Sequence, residues 1–136
     1  MHAPCDPFDP RLLVFDHEYR IYGDDNANIY AIVDEADYHW AVQFLWSPKY
    51  SRGGRKFYLR RVTHERIGPT HRDRIQRTEW LHVAIMKRTG IEPPSELHTM
   101  VDHFPDRDSL RCTRNNLRWA TPSMNRINSA VTNYRG

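Results

Sequence analysis

The chain has 136 residues, of which 39% are hydrophobic and 27% are charged, so it fits one small domain with a modest core. No apolar run approaches the roughly 20 residues of a membrane-spanning helix, and the N-terminus lacks the basic and apolar segments of a signal peptide. We therefore expect a cytoplasmic protein with no membrane partner. The formal charge of +3 permits nucleic-acid binding.

The two cysteines, Cys5 and Cys112, are far apart and form no C-x-x-C pair. A structural zinc site built on cysteine is not expected, so both are interpreted as buried or incidental thiols.

The first region, residues 1–29, is expected to be an irregular arm. Three prolines interrupt its first ten residues, and a polar run occupies residues 23–28. The only strand predicted in this region lies around Leu12–Phe15.

The second region, residues 30–76, predicts a strand, a helix and a hairpin. Asp34 is a suitable N-cap for the helix, and Ala41, Phe44 and Leu45 form its apolar stripe. Residues 63–76 are polar and basic and are expected to be a loop. The predicted elements are a strand at Tyr30–Val33, a helix from Glu35 to Leu45, and hairpin strands at Trp46–Tyr50 and Lys56–Val62.

The third region, residues 77–136, predicts a helix followed by a strand, a loop, a second strand and a last helix. Thr78 is expected to cap the first helix, which buries Leu81, Ala84 and Ile85. Thr121 is the expected N-cap of the last helix, which packs through Met124, Ile127 and Val131. The predicted elements are a helix from Thr78 to Arg88, strands at Thr99–Phe104 and Asn116–Thr121, and a helix from Pro122 to about Val131. The whole is a small mixed domain of the α+β class.

Three side chains of this last region suit phosphodiester chemistry. Cleavage requires an activated water and a cation that neutralises charge on the phosphate. Asp102 and Asn125 offer the oxygen ligands that Mg²⁺ prefers, and His103 offers a neutral imidazole as general base. Because neighbouring residues of a strand point to opposite faces, a distortion is needed for Asp102 and His103 to share one site.

The stretches Val101-Asp-His, Asn116-Leu-Arg and Asn125 resemble the HNH endonucleases, in particular the homing-type and free-standing enzymes common in phage genomes. The resemblance implies a C-terminal ββα-metal unit in which Asp102 and Asn125 bind one divalent metal. It implies that His103 is the general base and that Asn116 braces the loop and orients the histidine. An asparagine as the last ligand favours Mg²⁺ or Mn²⁺ over zinc. The resemblance extends over about residues 30–128.

Further residues are candidates for contacts with DNA or with the site. Arg52, Arg55 and Arg60 on the hairpin and Arg118 on the last strand are predicted to bind DNA; a solvated surface is the alternative reading. His82 and Asn128 are additional site candidates, for which helix packing and an exposed helix face are the respective alternatives. His98 is expected to be a surface residue.

The sequence thus predicts a metal-dependent HNH endonuclease, of phage or prophage origin, that nicks or cuts DNA without a small-molecule cofactor. The alternative is a DNA-binding accessory protein on the same scaffold that does not cleave. An RNA-binding protein is a weaker third option, because no aromatic RNA-binding strands are present. Both a monomer and a dimer are compatible with this interpretation.

Overall fold

Seven strands and three helices occur in the part of the chain that the computed structural model describes, residues 18–23, 26–53 and 55–134. The α+β class is confirmed. In chain order the elements are β1 (Tyr19–Gly23), β2 (Asn26–Val33), α1 (Glu35–Ala41), β3 (Ser47–Ser51), β4 (Lys56–Arg66), β5 (Arg74–Trp80), α2 (Leu81–Arg88), β6 (Met100–His103), β7 (Leu117–Ala120) and α3 (Pro122–Tyr134).

The strands form three small antiparallel sheets. β1 pairs with β2, β4 lies between β3 and β5, and β6 pairs with β7. A short 3₁₀ turn at Arg114–Asn116 leads into β7. The order β6, β7, α3 agrees with the strand, loop, strand and helix predicted for the last third of the chain.

One hydrophobic core joins the predicted second and third regions. Trp46, the largest fully buried side chain, donates its indole N–H to the carbonyl oxygen of Ala41 over 2.9 Å. The buried core residues come from both halves of the chain: Ile21, Ala31, Val33, Ala41, Trp46, Leu59, Leu81, Ile85, Met86, Cys112 and Leu117. Cys112 is therefore a buried thiol, as predicted, whereas Cys5 lies outside the described residues.

A buried ion cluster fixes the two halves to each other. The Asp37 carboxylate is fully buried and accepts hydrogen bonds from Arg88 at 3.1 Å and from Arg114 at 2.7 and 2.9 Å. Although burial acts in the opposite direction, these guanidinium groups hold the pKa of Asp37 below its usual value. The carboxylate of Asp34 accepts the backbone N–H of Arg114, so it holds the 3₁₀ turn instead of capping α1.

Two predictions about the polar segments are wrong. The arm is not irregular at residues 19–23 and 26–29, which form β1 and part of β2, while Leu12–Phe15 lies outside the described residues. Residues 63–76 are not one loop, because β4 continues to Arg66 and β5 begins at Arg74. Apart from the half-buried Thr63, residues 63–66 of β4 and 74–76 of β5 are exposed on both faces, so they lack the alternation of apolar residues that identifies a strand.

Helix boundaries and faces differ from the prediction in three places. α1 ends at Ala41, and Leu45 is 82% exposed instead of packing. Thr78 belongs to β5, so α2 begins at Leu81. Ile127 of α3 is 66% exposed, so it does not pack on the strands as predicted. The predicted burial of Leu81, Ala84 and Ile85 is confirmed. No helix of the described residues is long and apolar enough to cross a membrane.

Candidate functional site

A cavity of about 420 Å³ lies where the sheet of β3, β4 and β5 meets α2, β6 and α3. Three of the predicted site residues, Asp102, His103 and Asn125, line it together, although they come from two separate elements. His103 is the last residue of β6, where the chain leaves the sheet. The full lining consists of Lys49, Tyr50, Ser51, Lys56, Tyr58, Trp80, His82, Met100, Val101, Asp102, His103, Asn125, Asn128 and Ser129.

Asp102 is buried and both of its carboxylate oxygens accept hydrogen bonds. Arg118 lies directly opposite it in the β6–β7 register and donates to Oδ2 at 3.0 and 3.2 Å. The side-chain amide of Asn128 donates to Oδ1 at 3.1 Å and to Oδ2 at 3.2 Å. The carboxylate is thus ion-paired within the protein, a feature that spacing along the sequence does not reveal.

His103 is only 5% exposed, and its imidazole lies among groups that favour its neutral form. Burial, with a smaller contribution from the positive charge of Lys56, lowers the pKa of His103 to about 4. Its Nε2 lies 3.8 Å from the Sγ of Cys112. At neutral pH this side chain is therefore an unprotonated base.

His82 stands beside His103, with ring centroids 4.9 Å apart. Burial, followed by the effect of His103, lowers the pKa of His82 to about 3. Both rings also contact the ring of Tyr58. His82 lines the cavity and is also half-buried by packing against these rings, so the site role and the packing role predicted from the sequence both stay open.

Asn116 braces the loop between β6 and β7, as the sequence predicts. Its side-chain amide donates to the carbonyl oxygens of Asp106 and Arg111, and its Oδ1 accepts the backbone N–H of Asp106. Its own carbonyl oxygen accepts the backbone N–H of Phe104, next to His103. The side chain is buried and does not line the cavity, so it holds the loop without direct contact to the site.

The hydroxyl oxygen of Thr121 accepts the N–H of Met124, so Thr121 caps α3 as predicted.

Two asparagines that follow this cap along α3 take different positions at the cavity. Asn125, one turn on, makes no side-chain hydrogen bond to another described residue, so its amide is available to a ligand. Asn128 is not an exposed helix residue, because it also donates to the carbonyl oxygen of His103 over 2.9 Å.

The basic groups of the cavity are two lysines that the sequence analysis did not single out. Lys49 and Lys56 line the wall, and the ammonium group of Lys56 donates to the carbonyl oxygen of Arg107. The signal for Lys56 was available: Lys56, Tyr58 and Arg60 alternate along β4 and so share one face.

The predicted DNA-binding arginines do not line the cavity. Arg118 holds Asp102 and stacks on Phe104, with its guanidinium carbon 3.8 Å from the ring centroid. Arg60 lies over Trp80 at 5.9 Å. Arg52 and Arg55 are exposed at the turn between β3 and β4, where contact with DNA stays a prediction. His98 bonds to Ser95 and also lies outside the cavity wall.

The donor set fits a divalent cation only in part. Asp102 and Asn125 supply one carboxylate and one amide oxygen, and the rest of the coordination would fall to water and phosphate, which is usual for Mg²⁺. The described residues contain no cluster of three or more His, Cys, Asp or Glu side chains that would hold a metal ion without such help. The guanidinium of Arg118, which is paired with Asp102, would compete with a cation for this carboxylate.

Comparisons of the chain with protein-family models, with curated proteins and with solved structures find no significant match.

Proposed function

We propose that this protein is a metal-dependent DNA endonuclease of the HNH type, acting in the cytoplasm. The observation that supports this most is the meeting of Asp102, a neutral His103 and Asn125 on one cavity with lysines in its wall. Lysines attract a phosphodiester, and a neutral imidazole can accept a proton from water.

His103 acts as the general base in this proposal. Burial keeps its imidazole unprotonated at neutral pH, so it does not have to lose a proton before it accepts one. If Nε2 carries its hydrogen towards Sγ of Cys112, the lone pair on Nδ1 is left to take the proton of the attacking water. Asn128, which holds the backbone carbonyl of His103, then acts as a positioning residue.

A divalent metal, when bound, would stabilise the negative charge that develops on the phosphate and the leaving oxygen. Asp102 and Asn125 are the residues that would hold it. Arg118 and Asn128 hold the carboxylate of Asp102 in place at the cavity wall.

The second candidate is a DNA-binding protein that does not cleave. A specific observation favours it: the proposed charged ligand, Asp102, is already neutralised by Arg118. A protein that only binds DNA needs no free carboxylate at this position. The two candidates therefore make different predictions. Only the nuclease cleaves DNA, and its cleavage depends on metal and on His103.

The test compares two histidine variants on plasmid DNA in the presence of Mg²⁺ or Mn²⁺. His103→Ala should lower the cleavage rate by about 10² to 10⁴, because general base catalysis contributes about that much. His98→Ala is the matched control, since His98 lies outside the cavity, and it should cleave at the wild-type rate. Both variants should bind DNA as tightly as the wild type. Cleavage by His103→Ala at the wild-type rate would overturn the assignment. If the wild type and both variants bind DNA equally well but none of them cleaves it, the second candidate is favoured.

A further inference from the structure

The two faces of the sheet formed by β3, β4 and β5 carry different charges. Residues paired across antiparallel strands lie on the same face, and successive residues of a strand lie on opposite faces. Lys49 pairs with Tyr58, Arg60 with Trp80, and Arg66 with Arg74. These pairs share one face, which we call the cavity face because Lys49, Tyr58 and Trp80 line the cavity.

The cavity face is basic and contains no acidic residue among the described residues of the three strands. Its other positions are serine, tyrosine, valine, histidine, glutamine, threonine and tryptophan. Among the described residues, no carboxylate is ion-paired with its basic groups, which are Lys49, Lys56, Arg60, Arg66 and Arg74. Such a surface attracts a polyanion.

The opposite face is electrically balanced. Both acidic residues of these strands lie there, and each is paired with an arginine: Glu79 with Arg61, and Glu65 with Arg77. Arg61 also lies over the ring of Phe44, with its guanidinium carbon 3.9 Å from the centroid. The two carboxylates of these strands thus leave the basic groups of the cavity face unneutralised, and such a face can attract a negatively charged partner.

The basic face continues beyond the cavity along β4 and β5. From Arg60 to Arg66 is six residues, or about 20 Å of extended chain. The two strands stay paired in register to the last pair, Arg66 with Arg74, where both residues are exposed. A two-stranded ribbon of this kind has the width that the major groove of B-DNA admits.

We propose that the cavity face of the β4–β5 ribbon is the main DNA-binding surface and that duplex DNA bound along it places a backbone phosphate at the cavity. The inference rests on the proposed function, whose DNA partner it places on specific residues. Arg60, Arg66 and Arg74 contact backbone phosphates, and Gln76 and Thr78 lie between them on the face that meets the groove.

The test compares two neighbouring arginines of β5 that lie on opposite faces. Arg74→Glu and Arg77→Glu each change the net charge by two units, and both positions are exposed. Binding of a duplex oligonucleotide is measured by fluorescence anisotropy in EDTA, over a range of salt concentrations. Arg74→Glu should weaken binding about tenfold and lower the salt slope by about 0.9, the value for one lost phosphate contact, whereas Arg77→Glu should change both much less.

Further variants separate a contact from a folding defect and from net charge. Arg74→Lys keeps the charge and should keep the wild-type salt slope, and thermal melts should show that Arg74→Glu and Arg77→Glu are both folded at the temperature of the binding assay. Equal losses of affinity in Arg74→Glu and Arg77→Glu, or tighter binding of single-stranded than of duplex DNA, would overturn the ribbon assignment while leaving the nuclease proposal intact. Failure of the wild type to bind any DNA would overturn both.

Discussion

At the scale of single residues, the proposed chemistry depends on the neutral state of His103. An imidazole that remains unprotonated at neutral pH can act as a base, and here burial rather than a carboxylate partner keeps it so. The same burial affects His82. The two imidazoles therefore bind a proton more readily in the unfolded chain than in the folded protein. Because of this difference, acid should lower the free energy of unfolding.

The buried histidines predict a loss of stability in mild acid. Their folded-state pKa values of about 4 and about 3 lie below the ordinary 6.5, so their contribution is complete above pH 6.5 and is lost as the pH falls towards 4. Between pH 7 and pH 5 the free energy of unfolding in urea should fall on the order of 2 kcal/mol for each histidine. His82→Phe should show a smaller fall than the wild type. An unfolding free energy that stays constant over this range would contradict the buried, neutral pair.

Arg118 and a metal ion should compete for Asp102. In EDTA, Arg118→Ala should lower the free energy of unfolding by about 3 kcal/mol, because the buried carboxylate loses its charged partner. Mg²⁺ or Mn²⁺ should then raise the melting temperature of the variant more than that of the wild type, because the cation takes the place of the guanidinium. Arg126→Ala, on the exposed side of α3, is the matched control and should behave as the wild type. An equal thermal response to metal in all three proteins would contradict competition between Arg118 and a metal for Asp102.

At the scale of elements, the ion cluster at Asp37 fixes the elements that support the site, although it does not line the cavity. It joins α1 to α2 and to the 3₁₀ turn that leads into β7. β2 adds to this connection, since Ile32 accepts the N–H of Cys112 and donates to the carbonyl oxygen of Leu110. The loop that Asn116 braces is thus fixed to the N-terminal half of the domain, which explains why one core spans both predicted regions.

Removal of this cluster should destabilise the whole domain. Asp37→Asn should lower the free energy of unfolding by about 3 kcal/mol, at the low end for a broken buried ion pair, because Arg88 and Arg114 both reach solvent. Glu65→Gln, which removes the exposed partner of Arg77, should cost less than about 1 kcal/mol. Urea unfolding of the two variants makes the comparison, and equal costs would show that the Asp37 cluster is no stronger than a surface pair.

The elements also show how far sequence reasoning extends. The segments with strong local signals were predicted: the buried face of α2, the Thr121 cap, and the strand, loop, strand and helix around Asp102 and His103. The third strand of the sheet of β3, β4 and β5 was not, because residues 64–66 and 74–78 are exposed on both faces and have no apolar period. Strand register determines the ion pair of Asp102 with Arg118, and helix placement determines the hydrogen bonds of Asn128. The spacing of residues along the sequence reveals neither.

At the scale of the whole molecule, one set of Asp102, His103 and Asn125 can align one phosphate with one water at a time. A monomer should therefore cut one strand of a duplex. Cutting both strands requires a second site or re-docking, and a symmetric dimer is the natural route because the two strands are antiparallel. In the proposed complex the basic face of the ribbon leads to the cavity that holds this set, so we expect one cut for each binding event.

The most direct test of the proposed nuclease activity is a time course on supercoiled plasmid. The purified protein is treated with EDTA, and Mg²⁺ or Mn²⁺ is then added in excess. We expect no product in EDTA, and after addition of metal an early accumulation of open-circular DNA before any linear form. Linear DNA appearing first, at concentrations where sedimentation shows a dimer, would contradict the single-strand cut. Plasmid that stays supercoiled with every metal, although the protein binds it, would contradict the nuclease itself.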